Sequence, residues 1–368
     1  MRSQREPVSQ DPPLRTAIVG TGTIARIHGD AMRTIPTLGR LVAATDIDAD
    51  QRAAFADDYD VRPYADLASL LRAEEPDLVH ICTPPGAHHS QALDGLRAGS
   101  SVLVEKPPTL TMAELDDLHD AQGEQGPWFA TVFQHRFGSG ARRARALIDS
   151  GVLGRPHVAV CHTTWYRPQS YFDVPWRGRW DTEGGGPTMG HGIHQIDLLT
   201  ALLGEWTEVT ATARRQARSV DTEDLSLAHV AFANGAVASV VNSVLSPREE
   251  SYIRIDLDHA TLELTHLYGY GDANWRITPA PGHEERVNAA WEDGEWGTRS
   301  GHAAQLAAVL TALHAKEAPP VTATEARRTL HLVAGIYASA FQRRSVTPAD
   351  VGPGSAFHTA MRGDGPPW

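Results

Sequence analysis

Thr16-Ala17-Ile18-Val19-Gly20-Thr21-Gly22-Thr23-Ile24-Ala25 is the stretch that decides the fold. Residues 16–19 read as a short buried strand. Gly20, Gly22 and Ala25 then form G-x-G-x-x-A, and Ile24 and Ile27 begin an apolar helical stripe. A second apolar run, 41–45, ends on Asp46. Strand, glycine turn, helix, strand and acid follow one another as in a dinucleotide-binding unit. Gly20 permits the tight turn, Gly22 lets backbone approach a pyrophosphate, and Ala25 is small enough for close packing of helix on strand. The helix opened by Thr23 and Ile24 offers unpaired N–H groups and a positive dipole end to phosphates. A carboxylate at Asp46 accepts from both ribose hydroxyls and repels a 2′-phosphate, so NAD is expected rather than NADP.

Outward from this turn, apolar runs at 41–45, 78–82, 102–104 and 128–132 alternate with helical stretches such as 91–98 and 113–121. That alternation predicts an α/β fold with a doubly wound parallel sheet over residues 14–132. From Arg155 the rhythm changes to runs rich in Val, Ile, Thr and Leu at 157–162, 208–217, 225–232, 237–244, 252–258 and 261–266. Asn234-Gly235 between two of them is a hairpin signal. Residues 133–368 are therefore expected to form an α+β domain with a largely antiparallel sheet. Helices over 188–203, 302–315 and 324–343 are expected on one face of that sheet. Residues 279–299 read as a long loop, and residues 1–13 as a disordered leader.

The chain's 368 residues carry 45 acids against 33 bases, a net charge of −12 that disfavours nucleic acid and anionic membrane. No apolar run approaches the roughly 20 residues of a membrane span. Two cysteines, Cys82 and Cys161, both in apolar runs, suit inert core thiols in a reducing cytoplasm. The expected partner is a small molecule.

Further motifs occur in a fixed order: Thr83-Pro84-Pro85-Gly86-Ala87-His88, then Ala98-Gly99, then Glu105-Lys106-Pro107. His135-Arg136-Phe137 follows, then the stretch 148–154, and Gly184-Gly185-Gly186 ahead of Gly192-Ile193-His194. With them the chain resembles the glucose–fructose oxidoreductase and inositol dehydrogenase (Gfo/Idh/MocA) family, from about Arg15 to Val346. The resemblance implies that Lys106 sits beside the nicotinamide and the reacting carbon, and that His194 is the general acid/base for the oxidised hydroxyl. A lysine there stabilises developing negative charge, and a histidine exchanges a proton near neutral pH. It also makes Pro107 a candidate for a cis peptide, and places Thr83, Pro84, His88 and Glu105 with Lys106 on the cofactor side. Association as a homodimer or homotetramer through the outer face of the antiparallel sheet is implied as well. One departure stands out. Where the family carries an aspartate four residues before the histidine, this chain has Gly190, followed by His191, which is a substitute candidate for catalysis and substrate contact.

The run Trp165-Tyr166-Arg167, then Tyr171, Phe172, Trp176, Arg177, Arg179 and Trp180, reads equally as a substrate wall or as interface packing. Aromatic faces stack on sugars and arginines fork onto hydroxyl or carboxylate oxygens, so Trp165, Tyr166, Trp176, Arg177 and Arg179 are substrate candidates, with Arg136 at the domain junction. His28 reads as a packing residue. His191 and His194, with His162 as a third ligand, lack the converging donor set of a catalytic zinc, and no metal is expected. The preferred reading is an NAD-dependent oxidoreductase acting at a hydroxyl-bearing carbon of a sugar, polyol or cyclitol. The alternatives are an NAD-requiring glycosidase working by transient oxidation and elimination, and a non-catalytic sensor.

Overall fold

The computed structural model describes residues 12–368; most of the leader expected over 1–13 lies outside the described residues. Six strands, β1 (Leu14–Val19), β2 (Gly39–Thr45), β3 (Arg62–Tyr64), β4 (Leu78–Ile81), β5 (Ser101–Val104) and β6 (Phe129–Thr131), form one sheet in the order β3-β2-β1-β4-β5-β6. Every pair in it is parallel. All four residues of β4 and of β5 are buried, the pattern of strands covered on both faces. β3 was not foreseen; it is a short, mostly exposed edge strand around Pro63, and such a segment has no apolar period to read.

The crossover helices start where the sequence caps them. Asp48 accepts from the amides of Asp50 and Gln51, Asp66 from that of Ser69, and Thr111 forms a capping box with Glu114. The helix Thr23–Arg33 differs. It begins at Gly22, carries no acid in its first turn, and no side chain among the described residues caps it.

The second sheet contains β7 (Pro156–Tyr166), β8 (Trp206–Arg214), β9 (Leu225–Phe232), β10 (Val237–Ser243), β11 (Leu245–Leu257), β12 (Ala260–His266) and β13 (Trp275–Pro279). Its order is β13-β12-β11-β7-β10-β9-β8, antiparallel throughout except for the parallel pair β10–β7. The Asn234-Gly235 turn joins β9 to β10 as expected, with Gly235 at φ +92°. Alternate residues Ser226, Ala228, Val230 and Phe232 of β9 are buried, and the helix Ala323–Gln342 packs on this face with Leu330, Val333, Ile336 and Tyr337.

Three expectations need correction. The helix Ile193–Leu203 is separate from a short helix Pro187–Gly190, because both His191 and Gly192 donate to the Pro187 carbonyl and close the first turn on itself. The expected loop over 279–299 contains the helix Glu284–Glu292, which buries only Val287 and Trp291, too few apolar positions to show a period. The helix His302–His314 does not lie on the antiparallel sheet. Its Leu306, Val309 and Leu310 pack with Met32, Leu78, Leu103 and Val132, so a C-terminal helix completes the core under the parallel sheet.

Candidate active site

In the order β3-β2-β1-β4 the chain reverses direction of build between β1 and β4, and a crevice opens outside the carboxyl ends of those strands. There the structure has a cleft of about 1420 Å³. This exceeds the roughly 300–1,000 Å³ of a single small-ligand pocket and leaves room for a dinucleotide and a second molecule. Gly20, Gly22, Thr23, Ile24, Asp46, Thr83, Pro84 and Glu105 line one end. Lys106, Trp165, Arg167, Tyr171, Trp176, Arg177, Glu183, His191 and His194 line the other.

At the first end the glycine turn fits a dinucleotide by its shape. Gly20 has φ +84°, and a Cβ there would come within 2.9 Å of the Cys82 and Thr83 backbone. A Cβ on Gly22 would meet nothing within 4 Å, so that position borders open space next to uncapped helical amides, as a pyrophosphate requires. Asp46 Oδ2 accepts from the amide (2.6 Å) and hydroxyl (3.0 Å) of Thr21, while Oδ1 accepts from the Asp48 amide at 2.8 Å. Those bonds hold the carboxylate at the lip of the turn, where a ribose would lie.

Lys106 follows β5, and its peptide to Pro107 is cis, as the resemblance implied. Its Nζ donates to the Gly190 carbonyl at 2.8 Å. Burial lowers its pKa, against the upward pull of Glu105 and Glu183. His191 and His194 are both held well below the usual imidazole range, first by burial and then by Lys106. They are therefore neutral at pH 7, and each leaves Nδ1 without a hydrogen bond among the described residues. A neutral imidazole beside an ammonium can accept a hydroxyl proton while the ammonium steadies the oxygen. Behind them, fully buried Glu223 accepts the Gly186 and Thr188 amides and the Tyr337 hydroxyl at 2.9–3.0 Å. This locks the turn that presents His191. The Arg177 guanidinium lies over the Tyr171 ring at 3.9 Å, and the Tyr171 hydroxyl is 3.4 Å from His191 Nε2.

Four expected site residues stand elsewhere. Arg136 forks onto Asp197 at 2.5 and 2.7 Å and reaches Glu325, so its charge is spent inside the fold. Tyr166 lies on the opposite side of β7 from Trp165, 42% exposed beneath Arg218, because successive strand residues face opposite ways. Arg179 does not line the cleft; its guanidinium is paired at 3.0 Å with Asp181, which borders it. His88 does not line the cleft; its ring nitrogens meet the Thr83 and Pro107 carbonyls at 2.8 Å and so brace the loops that do. His162 is likewise not among the cleft residues.

Two groups escaped the sequence reading. His302 enters the cleft from the C-terminal helix, and its Nε2 and that of His28 both contact Glu105 Oε1 at 2.9 Å. These three ligand-type groups lie within 4.8 Å of one another. Their contacts are hydrogen bonds around an ionised carboxylate whose pKa the histidine bonds hold far down despite burial. His28 is thus part of a network and not merely packing. Nothing local marks His302, which is 197 residues from Glu105. The second group is Glu183, and its signal was an acid directly before the glycine run.

Comparison with known proteins agrees with this architecture. A family model described as "Oxidoreductase family, NAD-binding Rossmann fold" matches residues 14–132, and one described as "GFO/IDH/MocA C-terminal domain" matches residues 141–263. D-glucoside 3-dehydrogenase of Escherichia coli (strain K12) is 30% identical over 283 residues, 70% of this chain and 79% of that protein. Inositol 2-dehydrogenase 3 of Saccharopolyspora erythraea is 28% identical, covering 52% of this chain and 54% of its own length. The WlbA dehydrogenase from Bordetella pertussis, solved with NADH and UDP-GlcNAcA, superposes with a TM-score of 0.81 at 25% identity, over 91% of this chain and 98% of that one.

Proposed function

Since the chain belongs to the Gfo/Idh/MocA family of NAD-binding oxidoreductases, we propose that its cleft interconverts an alcohol and a ketone at a hydroxyl-bearing carbon of a sugar, polyol or cyclitol. Bound NAD supplies the hydride acceptor. Lys106 donates to the reacting oxygen, and His194, neutral at pH 7, takes the hydroxyl proton. His191, beside Tyr171, and Arg177, Trp165 and Trp176 form the substrate wall. The observation that carries this reading is the convergence of Lys106 and two neutral histidines at the end of the cleft that the glycine turn opens.

A second copy of the chain is proposed to cover the free face of the antiparallel sheet, where Val158, Leu227 and Val237 stand 44–51% exposed. Two free, buried cysteines support a cytoplasmic setting, and no helix among the described residues is long and apolar enough to cross a membrane. Incubating the protein with NAD and a panel of sugars, cyclitols and glycosides tests the reading. NADH should accumulate in proportion to oxidised product. Free sugar released without NADH would replace this reading with the elimination route, and ligand binding without either would make the protein a sensor.

A further inference from the structure

The space that a side chain at position 190 would fill is already occupied. A Cβ built on Gly190 would lie 3.2 Å from Oε1 of Glu183. Glu183 arrives from another segment, at the end of the short helix Trp180–Glu183, where Gly184 turns the chain at φ +79°. Its Oε2 accepts the Gly178 amide at 2.6 Å, which fixes the carboxyl group. Among the described residues Oε1 accepts no hydrogen bond, and it faces the cleft rather than the closed interior. The residue is only 5% exposed, yet it borders the cleft together with Lys106, Tyr171, His191 and His194. The Lys106 ammonium is tied to the Gly190 carbonyl at 2.8 Å, so ammonium and free carboxylate oxygen converge on the same residue.

A carboxylate with one oxygen fixed by a backbone amide and the other open to the cleft presents a held acceptor to whatever ligand enters there. Resting on the alcohol–ketone reading above, we propose that Glu183 is a substrate-contacting residue of that reaction: Oε1 accepts a hydrogen bond from a hydroxyl adjacent to the one held by Lys106. The carbon oxidised must accordingly have a neighbour whose hydroxyl faces Glu183. No bond to Glu183 forms or breaks; the proton of the reacting hydroxyl goes to His194 and the hydride to NAD. Glycine at 190 leaves this acceptor its place, since a Cβ there would crowd Oε1 at 3.2 Å.

The charged surroundings support an acceptor that ionises in the working range. Burial raises the Glu183 carboxyl to about 7, the Gly178 amide, Lys106 and Arg177 pull it down, and Glu223 pushes it up. Tyr171 is the other titratable group against it. Activity should therefore rise with pH through about 7 as the acceptor forms.

The test uses the full chain with NAD, and methyl β-D-glucopyranoside and myo-inositol as probes, each beside its monodeoxy analogues. Glu183→Gln keeps an acceptor for the Gly178 amide. It should lower kcat/KM about ten- to a hundredfold, the worth of one charge-assisted hydrogen bond. NAD affinity should stay within about twofold, and the rise of activity near pH 7 should vanish. Removing the adjacent hydroxyl should hurt the wild type by a similar factor and E183Q far less. Moving the carboxylate, as Glu183→Ala with Gly190→Asp, should recover at least about tenfold over Glu183→Ala alone. E183Q within about threefold of wild type, or equal penalties for the deoxy analogue in both proteins, would overturn the proposal. If E183Q does not fold, the absence of recovery in the double variant does so. Lys106→Met separates the two levels: if it too stays active, or if the wild type oxidises no probe, the site reading itself fails; if it is inert while E183Q is not, only the role of Glu183 falls.

Discussion

At one end of the cleft the lining is a single contiguous turn around residues 20–24 with an uncapped helix start; at the other it is side chains brought from segments around 106, 165–177, 183 and 191–194. The first end rests mainly on a permitted backbone conformation and an uncapped helix start within five residues, with the Asp46 carboxylate held at its lip by Thr21. The second brings an ammonium, a carboxylate and imidazoles together in a buried setting, where Lys106 lowers the pKa of Glu183, His191 and His194 alike. Binding can thus be local while chemistry is collective. Variants should separate the two ends cleanly, and the following experiments are ordered by the size of the effect.

Lys106→Met and His194→Ala each remove a group from the collective end and none from the turn. Turnover should fall about 10²–10⁴-fold while NAD affinity, measured by nicotinamide fluorescence, stays within a few-fold. A matching loss of NAD binding would erase the division between the ends. Arg136→Ala tests the correction made for that residue. Asp197, fully buried, would keep only the Thr329 hydroxyl and its helix contacts, so stability should drop by about 3–5 kcal/mol in denaturant melts. KM of the folded fraction should not move, and a KM effect without destabilisation would return Arg136 to the substrate wall.

Glu183→Gln also has a stability signature set by pH. The folded-state pKa, about 7, lies above the ordinary 4.5, so the unfolded chain loses this proton first. Stability contributed by the protonated form is complete below pH 4.5 and is lost as pH rises through about 7. The neutral glutamine avoids that loss. Relative to the wild type it should gain roughly 3 kcal/mol between about pH 4.5 and pH 8, read from paired thermal melts. A constant difference across that window would show that Glu183 is not an unfavourably ionised group. Gly20→Ala acts on the local end alone, forcing a side chain to φ +84° against backbone at 2.9 Å. It should cost about 1–3 kcal/mol and abolish tight NAD binding. The smallest effect is expected for Arg179→Ala, which breaks an exposed pair with Asp181: no resolvable change in melting, with KM unchanged.

The parallel sheet and the turn were readable because their signals are local: buried β-runs, glycines at fixed spacing, and Asp46 closing the second strand. The hairpin at Asn234-Gly235 was readable for the same reason. What escaped was marked by short or non-periodic stretches, such as β3 around Pro63 and the helix Glu284–Glu292. Tyr166 and Arg179 misled because a run of aromatics and arginines does not reveal which members face inward; the pleat of β7 sends Trp165 to the cleft and Tyr166 away from it.

From sequence alone came the two-part architecture and the dinucleotide-binding turn, which rests on residue types within a few positions of one another, and, through the family resemblance, the proposal of Lys106 and His194 as the reactive pair. Tertiary structure decided the rest. It spent Arg136 on a buried partner 61 residues away, set His302 against Glu105, and placed Glu183 in the space left by Gly190. A side chain's role depends on what lies within hydrogen-bond reach of it, and for these residues the neighbours come from other segments of the chain.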